Sequence, residues 1–338
     1  MRIALDAMGG DHAPGPIVTG AVQALQADPD LKLILVGDQE QVEACLAGHP
    51  DAPLDRVELV HSAHVIGMQE SPVEAMRTKV DNSITRCWQL LAEGRAAGIV
   101  GAGHTGAMVA GGLRLKRFLP KVRRPAIATV MPTLKGPCII LDVGANIAPK
   151  PQHLVQYGVM GSIYAKHILG REQPTIGLMN VGEEAGKGHE LAKTTHGLFN
   201  SSPLKERFIG NIEGRDIHRG AVDVVVTDGF TGNVVLKVCE GMFEFIMKMV
   251  GQSVFGVLHH EKALAMSAVQ ELVAKYDYSA FGGAPLLGID GVCIICHGSS
   301  KERAIQNAIG VASQHLRSNL NQRIVQELEA MPSLGEDE

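Results

Sequence analysis

Short apolar runs alternate along the chain with segments whose apolar positions recur at helical spacing. The runs RIALDAM (2–8), LKLILVG (31–37), RVELV (56–60), AAGIVGA (96–102), AIATVMP (126–132) and PCIILDVG (137–144) read as strands. So do TIGLMNVG (175–182), RFIGNIEG (207–214), DVVVTDG (223–229) and GVCIICHG (291–298). Many are apolar at consecutive positions, the pattern of parallel strands buried on both faces. Amphipathic stretches at 15–27, 39–47, 82–93, 152–169 and 231–250 fall between them. Alternation of this kind predicts an α/β fold with right-handed crossovers.

The alternation breaks over 241–278, a helical excursion rich in Met, Phe and Val. Its apolar surface calls for a partner: packing within the fold, a two-fold contact with a second copy, or a membrane surface. No repeat or linker divides the chain, so 1–330 reads as one domain with two lobes around a cleft. The acidic tail 331–338 reads as frayed.

Composition narrows the class. The chain of 338 residues is 45% hydrophobic but only 4% aromatic, so its core is aliphatic. Its 39 glycines recur after apolar runs, as tight strand-to-helix turns require. The first twelve residues contain an early aspartate and no apolar signal region. No stretch approaches the ~18 apolar residues of a membrane span. Six dispersed cysteines fit a reduced, cytoplasmic protein. Net charge is −5, yet residues 94–141 hold eight Lys/Arg and no acid, which suits an anionic ligand or an acidic partner.

The chemistry gathers at strand ends. GAGHTGA (101–107) follows an apolar run, opens a helix and fits G-x-G-x-x-G. Such a turn aims backbone N–H groups and a helix N-terminus at an anion. A dinucleotide site wants an acid about 20 residues on. Here RLKRFLPKVRRP (114–125) has none, leaving an NADP-type site, a simple anion site or close helix–strand packing. Four other strand ends, 6–15, 142–151, 180–190 and 227–237, carry similar Gly, Asn, Thr and acidic residues. In a parallel sheet they would converge on one cleft.

Two patterns mislead. CIICH (293–297) spells a haem-attachment motif, but in a strand Cys293 and Cys296 point to opposite faces and read as core residues. His297 and the residues after it end that strand beside the cleft. The adjacent His259 and His260 lack the spacing of a metal site, and no metal is expected.

Together, ALDAMGGDHAPG, ESPVEAMRTK, GAGHTGA, RRPAIA, LDVGANIAPKPQHLVQYGVMGSIYA, GLMNVGEEAGKGHEL, GNIEGRDI, VVVTDGFTGNVVLKVCEG and FGGAPLLGIDGVCIICHGSS cover nearly the whole chain in order. In these the chain resembles the bacterial phosphate acyltransferase family. The resemblance implies a Rossmann-like three-layer α/β/α fold akin to phosphotransacetylases and the isocitrate dehydrogenase group. It implies transfer of a fatty acyl group from an acyl carrier protein thioester to inorganic phosphate, giving acyl phosphate for phospholipid synthesis. No cofactor and no nucleic acid is involved. A homodimer, peripheral contact with the inner face of the cell membrane and a downstream glycerol-3-phosphate acyltransferase are expected as partners. A departure from the family pattern is His104, where Asn is expected.

Phosphate itself is the nucleophile in such a reaction, so no Ser or Cys nucleophile is required. Lys187, between glycines and beside Glu183 and Glu184, is the expected cation for phosphate or for developing negative charge. Asp228 and Asn233 complete the expected catalytic set. Gly101, Gly103, His104, Thr105 and Gly106 form the expected anion turn. Asp6, Gly9, Gly10, Asn146, Thr231 and Gly232 would orient substrate, and Arg77 and Lys79 offer a second positive pair. Arg114, Lys116, Arg117, Lys121 and Arg123 are expected to dock the acidic carrier, with Arg124 turned toward the cleft. A dehydrogenase of related fold using NADP and a noncatalytic acyl- or phosphate-binding protein are the alternative functions.

Overall fold

A computed structural model describes residues 1–255, 261–276 and 282–332. The expectations for His259, His260 and most of the tail fall outside these residues.

Every apolar run predicted as a strand forms one: β1 (Arg2–Asp6), β2 (Lys32–Gly37), β3 (Val57–His61), β4 (Gly98–Gly101), β5 (Ala126–Met131), β6 (Cys138–Leu141), β7 (Ile176–Met179), β8 (Phe208–Ile212), β9 (Val224–Val226) and β11 (Val292–Ile295). The sequence reading missed β10 (Ala284–Leu287), whose Pro285 and flanking glycines look like a turn. All lie in one sheet, ordered β3-β2-β1-β4-β11-β10-β5-β6-β9-β7-β8.

The sheet is not wholly parallel. The block β3-β2-β1-β4-β11 is parallel, and so is β6-β9-β7-β8. Between them β10 and β5 pair antiparallel on both sides. Three successive reversals leave the two parallel blocks running in opposite directions. The glycine-rich ends at 6–15 and 101–106 therefore lie at one edge of the sheet. Those at 142–151, 180–190 and 227–237 lie at the other, so a single parallel edge does not bring the five ends together.

Strand periodicity distributes the core. Ile3 and Leu5 pack with Ile17 of α1 (Gly15–Ala27) and Ile305 and Ile309 of α11 (Glu302–Arg317). Ala4, between them, faces the opposite layer with Trp88 of α4 (Ser83–Ala92) and Met108 of α5 (Thr105–Leu115). In the second block Val224 and Val226 meet Tyr157 of α6 (Pro151–His167) and Phe199 of α7 (Glu190–Asn200). Ile324 and Leu328 of α12 (Leu320–Ala330) complete that layer. Val225 turns to the other face, where Val235, Leu236 and Cys239 of α9 (Gly229–Phe255) pack. The result is three layers, α/β/α, with α5 and α9 on one face.

The predicted helical excursion comprises most of α9 and α10 (Lys262–Tyr276). Along α9, Phe230, Val234, Val238, Met242, Phe245 and Met249 are exposed at steps of three or four residues. They make a continuous apolar stripe. Among the described residues no helix is long and apolar enough to cross a membrane.

Candidate active site

The first wall is built where β1 and β4 end. Asp6 is buried, accepts from the Met8 amide at 3.1 Å and bonds the Ser83 side chain. Burial pushes its carboxyl pKa up against those bonds. Gly9 lies against it: a Cβ there would stand 2.6 Å from both Asp6 Oδ2 and the Gly103 amide nitrogen. Only glycine permits this contact between the two turns.

His104 occupies the N-cap of α5 but makes no side-chain capping bond. Its Nε2 lies 3.0 Å from the Glu70 carbonyl oxygen instead, and its ring packs beside Gly106. His104 thus leaves the helix start without a side-chain cap and ties the turn to the segment before α3 (Pro72–Thr78). Lys79, expected to bind substrate, donates to Glu70 at 2.6 Å and to the Val65 carbonyl at 2.9 Å. That bond to Lys79 holds the Glu70 carboxyl below its usual pKa. Arg77 is exposed at the end of α3.

The second wall centres on a residue that the sequence reading passed over. Asp142 is buried and accepts five hydrogen bonds. Its Oδ1 receives the amides of Ile127, Gly144 and Ala145 at 3.0, 3.1 and 3.0 Å. Its Oδ2 receives the Asn146 amide at 2.6 Å and Asn146 Nδ2 at 3.1 Å. Burial raises its pKa while these donors oppose the rise. Asn146 Nδ2 also donates to the Pro125 carbonyl at 2.7 Å, so its amide is committed to the turn. Asp228 caps α9, accepting the amides of Phe230 and Thr231 at 3.0 and 2.9 Å and Thr231 Oγ1 at 2.7 Å. Gly229 donates to the Asn146 carbonyl at 2.8 Å, joining this cap to the Asp142 turn.

A cavity of about 140 Å³ lies between these walls, over β5 and β10. Thr105 and His297 reach it from the first edge, Val143 and Asn233 from the second. Thr129, Lys237 and Glu240 add polar groups, and Ile127, Leu236 and Ile295 add apolar ones. Lys237 Nζ pairs with Glu240 at 2.7 Å, and His297 Nδ1 lies 2.8 Å from Ser299 Oγ. Thus Thr105 and Asn233, 128 positions apart in sequence numbering, line one space.

Other expected residues stand outside that lining. Lys187 and Glu183 are exposed in the loop after β7. Lys187 Nζ lies 3.9 Å from Glu184, and Asn180 Nδ2 holds the Lys187 carbonyl at 3.0 Å. Gly10, Gly101 and Gly103 support the first wall, while Thr231 and Gly232 seat α9. Arg114, Lys116 and Lys121 are exposed, whereas Arg117 is paired with Asp290 and Arg123 is half-buried. The acid-free interval is therefore partly neutralised from a distant part of the chain. Cys293 and Cys296 are buried, as predicted, and burial pushes the Cys296 thiol up to about 12.

The model of the fatty acid synthesis protein family matches residues 1–323. A phosphate acyltransferase from Heliobacterium modesticaldum is 46% identical over 94% of this chain and 95% of its own. One from Halothermothrix orenii is 43% identical over 97% and 98%. The chain belongs to the phosphate acyltransferase family. It is an acyltransferase enzyme, and this replaces the dehydrogenase and pure binding-protein alternatives.

The fold agrees. A phosphotransacetylase from Streptococcus pyogenes superposes with a TM-score of 0.61 at 20% identity, covering 94% of each chain. A branched-chain phosphotransacylase from Enterococcus faecalis gives 0.56 at 15%, over 94% of this chain and 99% of its own. This phosphate acyltransferase family member thus has the three-layer fold of the phosphotransacetylases.

Proposed function

We propose that the enzyme transfers a fatty acyl group from an acyl carrier protein thioester to inorganic phosphate, releasing the carrier thiol and forming acyl phosphate. The cavity between α5 and α9 carries this reading, because Thr105, in the first turn of α5, and Asn233, in the first turns of α9, both line it. A helix N-terminus suits a phosphate dianion, and a neutral amide donor suits the oxygen of a tetrahedral intermediate.

A phosphate oxygen forms a bond to the thioester carbonyl carbon, and the carbonyl electrons move onto oxygen. Their return expels the thiolate, which takes up a proton, and leaves a mixed carboxylic–phosphoric anhydride. Holding both reactants in one small space supplies most of the advantage. Thr105 and the amides of Gly103 to Gly106 hold phosphate, with Asp6, Gly9, Gly10 and Gly101 fixing their geometry. Asn233 donates to the carbonyl oxygen, and Asp228, Thr231, Gly232 and Asn146 hold α9 so that it can. Lys187 supplies positive charge from the 180–189 loop, together with Glu183, while Arg77 attracts phosphate to the rim.

Arg114, Lys116 and Lys121 present an exposed basic surface at the end of α5, suited to an acidic carrier. The apolar stripe on α9 pairs with a second copy, and its remaining exposed part rests on the inner membrane surface. There acyl phosphate passes to a glycerol-3-phosphate acyltransferase for phospholipid synthesis. The test is to incubate the protein with long-chain acyl carrier protein and phosphate and assay acyl phosphate. Release of free fatty acid, or no phosphate-dependent loss of thioester, overturns the reading.

A further inference from the structure

Beside the 140 Å³ cavity lies a larger one of about 430 Å³, and the two share Leu236 and Glu240 in their linings. Met131 of β5 and Pro132 and Leu134 of the β5–β6 connection line the larger space, and so do Cys239 and Phe243 of α9. His218 and Arg219, at the end of the helix Gly214–Arg219, also line it. His218 is occupied there: Nδ1 lies 3.3 Å from the Pro132 carbonyl and Nε2 3.3 Å from Cys239 Sγ.

We propose that this larger cavity holds the alkyl chain of the acyl substrate, with the reacting carbonyl at the Leu236 junction; this rests on the reaction proposed above. Its volume lies within the ~300–1,000 Å³ of small-molecule sites. Apolar atoms make up most of its wall, and of the polar residues that also line it, Thr133, His218, Arg219, Glu240 and Glu244, two are carboxylates, so a phosphate or nucleotide there would lose most of its hydration and face like charge. An alkyl chain has no polar group to satisfy and gains free energy from every methylene buried. The junction adds direction, since the polar cavity receives the head of the substrate and the apolar one its tail. From Leu236 to Phe243, α9 advances about 10 Å, which gives the cavity an elongated wall. Phe243, Leu134 and Cys239 then set the chain length accepted, though they touch none of the reacting atoms.

Cys239→Trp and Phe243→Trp, each shown folded by circular dichroism, test this with palmitoyl and butyryl carrier thioesters. Filling the cavity is expected to lower palmitoyl kcat/KM about tenfold or more, and to leave butyryl turnover within about twofold. Both variants are also expected to weaken binding of a fluorescent long-chain fatty acid. Equal turnover of palmitate by wild type and both folded variants overturns the proposal, and so does an equal fall for both chains. Conversion of a dimer to a monomer by either change, seen by light scattering, would assign the cavity to a subunit contact and also overturn it. If wild type transfers neither chain, the reaction reading fails by itself. The fatty acid titration then decides the cavity: retained binding in both variants overturns it, loss in both supports it.

Discussion

A Cβ on Gly232 would collide with the carbonyl oxygen of Asp142, so the first turn of α9 sits directly on the turn that follows β6. Asn233 follows immediately and faces the cavity. The position of a candidate oxyanion donor is therefore fixed by the absence of one methyl group. Gly232→Ala is expected to lower stability by about 1–3 kcal/mol through overpacking, and to reduce turnover beyond what unfolding explains. Gly241→Ala, in the same helix with open space around it, is the contrast. It should be neutral or stabilising by up to about 1 kcal/mol. Urea midpoints with activity of the folded fraction check both; a neutral Gly232→Ala would show that α9 is not held this way.

Two lysines compete for the role of catalytic cation. Lys187 is exposed in its loop, whereas Lys237 lines the cavity but is paired with Glu240. Lys187→Ala and Asn233→Ala are each expected to reduce kcat by about 10²–10³-fold, the scale of one electrostatic contact in a closed site. Lys237→Ala should cost less, since Glu240 already neutralises it. Single-turnover rates of the three variants check this. A near-normal rate for Lys187→Ala with a collapse for Lys237→Ala would move the cation to α9.

Docking of an acidic carrier should depend on charges without acidic partners. Reversing Lys116 and Lys121 together is expected to raise the carrier KM several-fold at low salt, and the effect should shrink as salt rises. Arg117→Ala should disturb stability more than KM, because its guanidinium holds Asp290. Initial rates across a salt series with the carrier substrate, and with an acyl-pantetheine lacking the carrier, separate the two effects. An unchanged KM in the double reversal places docking elsewhere.

Stability should fall in mild acid because of His315. This residue is buried with its ring edge-on to Tyr164 at 5.1 Å, and its Nε2 has no hydrogen-bond partner. Burial lowers its pKa from 6.5 to about 4. The folded state thus favours the neutral ring. Its contribution is complete above pH 6.5 and is lost as pH falls toward 4, about 3 kcal/mol in all. His315→Phe keeps the ring contact and removes the titration. Denaturation midpoints between pH 7 and 4 should fall less steeply in this variant; parallel curves would contradict the assignment.

Much of this was legible in the sequence. Apolar runs located the strands because burial on both faces demands unbroken hydrophobicity. The α4, α6 and α9 segments followed from helical spacing. The reversal between the two parallel blocks was not legible, since it depends on β10, whose Pro285 suppresses the strand signal. Asp142 was hidden in LDVGAN, where an aspartate after a strand looks like any other strand end. Only its neighbours show that it receives five donors. The partnership of Arg117 with Asp290 could not be read either, because it joins segments 173 positions apart. Thr105 and Asn233 were both singled out from the sequence, but that they line one space follows from the fold.

The two walls of the cleft come from unequal stretches of the chain. β4, which carries the Gly101–Gly106 turn, pairs on one side with β1 and on the other with β11, whose residues Val292–Ile295 come almost 200 positions later. The Cys296 amide donates at 2.8 Å to the Gly101 carbonyl, closing the base of that turn. During synthesis the second wall, complete with Asp142 and Asn233, leaves the ribosome while β4 still shows an open edge. An unpaired strand edge invites pairing with other chains. The Gly101–Gly106 turn is thus encoded early and finished late, and a chain stopped short of residue 292 exposes an aggregation-prone edge at the centre of its candidate active site.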